Sequence, residues 1–167
     1  VAHALSRTPS LLHQKVAIIG AGAIGLLAVM MVRAGGALQL LAVDLSDYRL
    51  GLAKELGADV VINSGREDAA KVIREMTGGG ADIIIECVGV APAVQTAIYA
   101  VRNGGHITLI GNSAAMMELP EQELVVRELT AVGTYAFNRE FPVMVEALGK
   151  GSLPVDKLIS LEAPLEE

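Results

Sequence analysis

The sequence predicts a doubly wound α/β unit built on a six-stranded parallel sheet. Three observations predict it: short apolar runs bounded by turn residues, helical stripes between those runs, and a glycine-rich turn between the first strand and a full helix. Runs that are apolar at consecutive positions mark strands buried on both faces, as in a parallel sheet covered by crossover helices. Strand–helix alternation through six strands then favours this architecture over a bundle or a sandwich.

Residues 1–14 hold no element able to complete a sheet and are expected to be a lead-in; residues 15–152 form the unit, and 153–167 a return segment. The first strand is placed at 16–19. The helix at 23–34 is apolar on every side, through Ile24, Leu26, Leu27, Val29, Met30, Met31 and Val32. A helix lying only on a sheet needs one apolar stripe, so this one is expected to be central in the sheet, or covered on its outer face by a partner outside the chain, or both. The second strand, 38–43, leads to a helix from Asp47 that carries Leu52 and Leu56 and stops at Gly57. After a third strand at 60–62, Ala69, Val72, Ile73 and Met76 repeat at i, i+3, i+4, i+7, with Gly78 to Gly80 as the stop. The fourth strand, 83–87, precedes a helix with Pro92 in its first turn and a stripe of Val94, Ala97, Ile98 and Val101; Gly104–Gly105 are expected to cap it. Strands at 107–110 and from Leu129 to Gly133 complete the sheet. Phe141, Met144, Val145 and Leu148 mark a last helix, and 155–161 reads as a strand with no place in the six-strand order.

Composition narrows the function. The 167 residues are 52% hydrophobic and 19% charged, which excludes disorder. Thirteen Lys and Arg against nineteen Asp and Glu give a net charge of −6, so no basic surface for nucleic acid or anionic membrane is expected. The single Cys87 excludes an internal disulfide and a cysteine-rich zinc site, and His3, His13 and His106 show no metal-ligand spacing. Residues 16–32 carry no charge and imitate a membrane span. As a helix they would reach only about 25 Å, against a bilayer core of about 30 Å, and three glycines interrupt them. No signal-peptide pattern is present, so a cytoplasmic location is expected.

The chemistry is written in Gly20-Ala21-Gly22-Ala23-Ile24-Gly25, directly after a strand and opening a helix. Gly20 permits the tight turn, Gly22 lets a pyrophosphate approach the backbone, and Gly25 lets helix and strand pack closely. The helix N-terminus offers free N–H groups and the positive end of its dipole. Asp44 ends the second strand nineteen residues after Gly25, where a dinucleotide site needs a carboxylate for the adenosine ribose hydroxyls. Arg49 reads equally as a contact at that end of the ligand and as a surface arginine. Cys87 ends a buried strand with no histidine near it in sequence, so it reads as a small apolar residue beside the crevice, and His106 as structural.

The segments VAIIGAGAIGLLAV, VDLSDYRLGLAKELGADVVIN, ECVG and YAVRNGGHITLIG resemble the coenzyme-binding, Rossmann-fold domain of the medium-chain zinc-dependent alcohol dehydrogenases. They are most similar to the polyol (sorbitol-like) and threonine dehydrogenase branch. The resemblance implies NAD as cofactor, with Ala21, Gly22, Ala23 and Ile24 at the pyrophosphate and Ile24 backing the nicotinamide. It implies Asp44 and Arg49 at the adenosine ribose, and Cys87, Val88 and Gly89 in the turn over the cofactor's middle. The Ile110 and Thr134 carbonyls and the Ala136 N–H would hold the carboxamide, with Gly111 in the same turn as Ile110. It further implies a secondary alcohol or polyol substrate, a homo-oligomer paired along the edge from Leu129 to Gly133, and a zinc-bearing catalytic domain outside this chain. No catalytic or metal-ligating residue is expected within the chain. Two alternatives remain: a non-catalytic NAD-binding sensor, and the cofactor domain of a zinc-free quinone reductase. A short-chain reductase would need Tyr and Lys four residues apart, whereas Tyr48, Tyr99 and Tyr135 are followed there by Leu52, Asn103 and Arg139.

Overall fold

A computed structural model describes residues 1–165; the last two residues of the expected return segment lie outside the described residues. The strands are β1 (Lys15–Ile19), β2 (Gln39–Asp44), β3 (Val60–Asn63), β4 (Ala81–Glu86), β5 (Val101–Leu109) and β6 (Thr130–Gly133). The helices are α1 (Ala2–Ser6), α2 (Ala23–Ala34), α3 (Asp47–Glu55), α4 (Ala69–Thr77), α5 (Ala91–Ala100), α6 (Glu121–Val126) and α7 (Glu140–Gly149). All strand pairs are parallel, in the order β3-β2-β1-β4-β5-β6. The order reverses beside β1, because the chain crosses from one side of the sheet to the other between β3 and β4. A crevice opens at the carboxyl ends of the strands at such a reversal.

The two sheet faces carry separate apolar cores. Val16, Ile18, Leu40, Ala42, Ile83 and Ile85 face α2, while Ala17, Ile19, Leu41, Ile62, Ile84 and Ile107 meet residues of α4 and α5. Successive side chains of β1, β2 and β4 therefore enter opposite cores, which explains their unbroken apolar runs. α2 takes the central position expected of it. It packs on β1 and β2 in the middle of the sheet, and Leu153, Val155 and Leu158 lie against the same core.

Two expected elements differ. Residues 155–161 do not form a strand; Val155–Leu158 is a 3-10 turn packed against α2. Its partly buried apolar residues, Val155 and Leu158, fall three apart, a helical rather than an alternating spacing. Gly104–Gly105 do not cap α5 either. The helix stops at Ala100, and Val101 already has extended dihedrals and pairs with Ala81. Two arginines serve its carboxyl end instead: Arg74 donates to the carbonyls of Tyr99 and Val101, and Arg127 to those of Ile98 and Val101. The glycines lie within β5, where its register with β4 jumps from Ala81↔Val101 to Ile83↔His106.

Carboxylates tie the other end of the sheet. Asp82 accepts from the Lys15 N–H at 2.8 Å and the Arg102 Nε–H at 2.6 Å. Asp59 accepts from the Leu40 N–H at 2.8 Å and from Arg33 at 2.6 Å. Burial raises both pKa values, but these bonds and charges outweigh it and hold both carboxyls below their ordinary range. The lead-in helix is tied similarly: the His3 ring donates to Glu140 of α7 at 3.0 Å and holds that carboxyl down to about 2. Depressed folded pKa values mean that this stability is present above the ordinary carboxylate range and lost as pH falls through the folded values. The urea midpoint should therefore fall between about pH 5 and about pH 2. Asp82→Asn should lower stability by about 1–3 kcal/mol at neutral pH and make the acid fall shallower. A variant whose midpoint follows the original chain across that range would contradict this.

Candidate functional site

The carboxyl ends of β1, β2 and β4 border a crevice of about 790 Å³, lined among others by Gly20, Gly22, Asp44, Arg49, Cys87 and Val88. That is the size range of small-molecule and cofactor sites. Its floor is the turn from β1 into α2. The Gly20 N–H donates to the Val43 carbonyl at 2.8 Å, and Gly20 takes φ +93°, in the region that favours glycine. A Cβ on Gly25 would stand 1.7 Å from the Gly20 carbonyl oxygen, so helix and turn approach closely only because that atom is missing. Gly22 is different: a Cβ there would meet nothing within 4 Å. The protein itself leaves that space open.

Gly22 is also the N-cap of α2, with no side-chain cap and no acidic residue in the first turn. The first helical bond is from the Leu26 N–H to the Gly22 carbonyl, so the N–H groups of Ala23, Ile24 and Gly25 precede the helical ladder. Free N–H groups and an uncompensated dipole suit an anion such as a phosphate.

Asp44 closes one wall of the crevice. Its side chain is 9% exposed; one oxygen accepts from the Ala21 N–H at 2.7 Å and the other from the Ser46 N–H at 2.9 Å. The carboxylate thus clamps the glycine turn to the end of β2. A carboxylate has about four acceptor positions, so two remain for a ligand. Arg49 Nη1 stands 3.9 Å from Asp44, on a largely exposed side chain.

Opposite lies the turn after β4. Glu86 is fully buried, and one of its oxygens accepts from the N–H groups of Val88 and Gly89 at 2.7 and 2.9 Å. Its other oxygen has no partner. Burial raises its pKa, against the lowering effect of the two amides. Burial first, and then the Glu86 charge, push the Cys87 thiol up to about 12. A thiol so held is no nucleophile near neutral pH.

The remaining expected site residues are spread along the same sheet edge. Ile24 is half-exposed at the start of α2, and Gly25 lies beneath the turn. Gly89 and Gly111 press the turns after β4 and β5 together: a Cβ on Gly111 would stand 2.0 Å from the Gly89 nitrogen. The Ile110 and Gly111 N–H groups donate to the Glu86 carbonyl. The Thr134 N–H donates to the Leu109 carbonyl at the carboxyl end of β6, and Ala136 follows on an exposed turn with φ +55°. Of the expected site residues, Gly20, Gly22, Asp44, Arg49, Cys87 and Val88 line the crevice, whereas Ala23, Ile24, Gly25, Gly89, Ile110, Gly111, Thr134 and Ala136 do not. Sequence reasoning missed Glu86, hidden inside a run read as apolar, and the polar lining residues Ser46, Ser64 and Thr96. Among the described residues, no three His, Cys, Asp or Glu side chains converge as a metal site would require.

A family model described as zinc-binding dehydrogenase matches residues 23–150. The chain belongs to the zinc-binding dehydrogenase family. Within that family it is 36% identical over 159 residues to sorbitol dehydrogenase from Rattus norvegicus, covering 93% of this chain and 44% of that protein. The human sorbitol dehydrogenase is 34% identical over 168 residues, covering 99% of this chain and 47% of its own length. Among solved structures, an alcohol dehydrogenase from Thermus sp. ATN1 superposes with a TM-score of 0.93 at 31% identity, over 99% of this chain and 49% of that one. A zinc-binding dehydrogenase from Sinorhizobium meliloti, solved with NADP bound, superposes with a TM-score of 0.87 at 26% identity, over 95% and 48%. The chain spans about half the length of these relatives.

The two glycines separate fold from function. Gly25→Ala should destabilise the fold by about 3 kcal/mol or more, because a backbone carbonyl has to move. Gly22→Ala should cost less than about 1 kcal/mol. Urea unfolding of both variants checks this; equal losses would refute the assignment of Gly25 to packing and Gly22 to open space.

Proposed function

We propose that this chain is the NAD-binding unit of a zinc-dependent dehydrogenase that oxidises a polyol or another secondary alcohol. The observation that carries the reading is the open α2 N-terminus at Gly22 and the Asp44 carboxylate bordering one crevice. A bound nicotinamide dinucleotide supplies the hydride acceptor. The first-turn N–H groups of α2 receive the pyrophosphate, and the free acceptor positions of Asp44 receive the ribose hydroxyls. Val88 and Cys87 cover the cofactor's middle. The Ile110 and Thr134 carbonyls and the Ala136 N–H orient the carboxamide, and Ile24 backs the ring. The described residues do not fit zinc, so metal chemistry belongs to residues elsewhere in the whole enzyme.

Asp44 also argues for NAD over its 2′-phosphorylated form. A 2′-phosphate would remove a ribose donor and bring a charge of about −1.5 to −2 against the carboxylate. At about 4 Å and an effective dielectric near 20, one like-charged pair costs roughly 4 kcal/mol, less at a solvated rim. A second reading, NADP, is favoured by Arg49 and by the NADP bound to the Sinorhizobium relative. Titrations of NADH and NADPH by cofactor fluorescence separate them. The chain should bind NADH at least about a hundredfold more tightly, a difference of about 2.7 kcal/mol. Asp44→Gly should remove most of that preference, and it also releases the Ala21 and Ser46 amides, so its unfolding curve is measured alongside. Equal affinities in the unmodified chain would refute NAD preference. The chain should oxidise no alcohol, even with zinc added; steady turnover would contradict the division of labour.

The same reading includes pairing along β6. None of its residues is buried, and Phe141, Val143 and Val145 on nearby α7 are exposed. An edge strand offers unpaired N–H and C=O groups to a second copy. Light scattering should show a dimer at high concentration, and Ala131→Pro, at an N–H that faces away from β5, should reduce it to monomer. A strict monomer in the unmodified chain would count against pairing.

A further inference from the structure

Glu86 is unusual among the carboxylates of the described residues. It is fully buried, it ends the strand next to β1, and only one of its oxygens is used. That oxygen holds the Val88 and Gly89 N–H groups, and Val88 faces the crevice. Glu86 is thus one hydrogen bond behind the wall against which a dinucleotide would lie. A buried polar atom with no partner needs an explanation, and for a carboxylate the cost of ionisation is large.

We propose that Glu86 is a positioning residue for the dinucleotide, and that the dinucleotide is bound with this carboxyl protonated. The inference rests on the dinucleotide reading above. As the neutral acid, Glu86 still accepts both amides through its carbonyl oxygen, so the turn keeps its shape. The unpartnered oxygen then carries a proton, and burying a neutral hydroxyl costs far less than burying an unpaired charge. The phosphates of the ligand strengthen that choice. They bring negative charge to the same crevice, and buried charges are screened weakly. Binding therefore takes up a proton from solvent wherever the free carboxyl is ionised.

No neighbouring group offers a competing explanation. In the sheet, Ile19 of β1 and Leu109 of β5 flank Glu86. The first turn of α5, from Ala91 to Val94, and the turn from Ile110 to Ala114 carry no titratable side chain. The Cys87 thiol beside it stays un-ionised. On α4, which also packs on β4, Lys71, Arg74 and Glu75 are exposed, and Arg74 donates to carbonyls of Tyr99 and Val101. Across the crevice Asp44 and Arg49 pair with one another.

The test is NADH titration of the full chain between about pH 5 and about pH 9, by cofactor fluorescence, with Glu86→Gln and Glu86→Ala beside it. The unmodified chain should lose about tenfold in affinity as pH rises, the loss expected if binding raises the carboxyl's pKa by one unit. Glu86→Gln keeps one acceptor and mimics the neutral acid. It should bind at about pH 9 as tightly as the unmodified chain does at about pH 5, with a flat profile. Glu86→Ala should bind more weakly at every pH. Calorimetry of the unmodified chain in buffers of different ionisation enthalpy should register proton uptake, which needs no variant to fold. A flat profile without proton uptake, or a Glu86→Gln profile parallel to the original, overturns the proposal while leaving dinucleotide binding intact. Absence of NADH binding at any pH overturns both.

Discussion

The contact between Gly25 and the Gly20 carbonyl is the constraint from which the rest of the site follows. With any side chain at residue 25, α2 would have to lift away from the turn. α2 is the central helix on its face, resting on β1 and β2 and burying Leu26, Val29, Met30 and Val32 in one core. Lifting it would therefore open the core and displace the helix N-terminus together. The same close approach that completes the packing places free N–H groups beside Gly22, where the chain leaves space. The packing of α2 and the position of its N-terminus are both fixed by one missing methyl group.

Two carboxylates extend that geometry to either side of β1. Asp44 ends β2 and Glu86 ends β4, and each accepts backbone N–H groups of a turn that lines the crevice. Their environments divide their roles. Asp44 keeps some solvent contact and uses both oxygens, so it stays an acceptor with capacity for a polar ligand. Glu86 has no solvent contact and one idle oxygen, so it shapes the wall from behind. The glycine turn is thus held by a charged clamp on one side, and the opposite turn by a carboxyl for which ionisation is costly.

Much of this was legible in the sequence, because parallel strands and glycine turns write strong local signals. Six strands, the central helix, the turn at Gly20 and the acid at Asp44 all follow from period and spacing. The errors have local causes. Val101 continues the apolar stripe of α5, yet β-sheet pairing with Ala81 claims it, and remote arginines replace the glycine cap. Residues 155–161 read as a strand in isolation, but the surface of α2 receives Val155 and Leu158, three residues apart. Short α1 and α6 carry too few residues to show a period. Glu86 was hidden by its own context: Ile83, Ile84 and Ile85 made the run look wholly apolar. Asp44 stands out by its spacing from Gly25, whereas Glu86 has no such spacing and is marked only by its burial at the end of β4.

The two halves of the sheet are finished to different degrees, and this bears on how the proposed site works. β1, β2 and β4 are buried along most of their length, and Gly22 and Asp44, which the proposed reading assigns to phosphate and ribose, sit at their carboxyl ends. By contrast, β6 and α7 bury no residue completely, and β6 is held in the sheet by its ladder with β5. Thr134 and Ala136 belong to this less enclosed part. Local opening is easiest where few apolar contacts oppose it. On the proposed reading, the adenosine half of the dinucleotide therefore meets a preformed site. The nicotinamide half meets one whose order depends on whatever surface covers β6 and α7. Such a cover would tighten the carboxamide contacts without touching the ligand, by removing the conformational cost of fixing them. Cofactor affinity and assembly of the whole enzyme are in that case linked through a single strand.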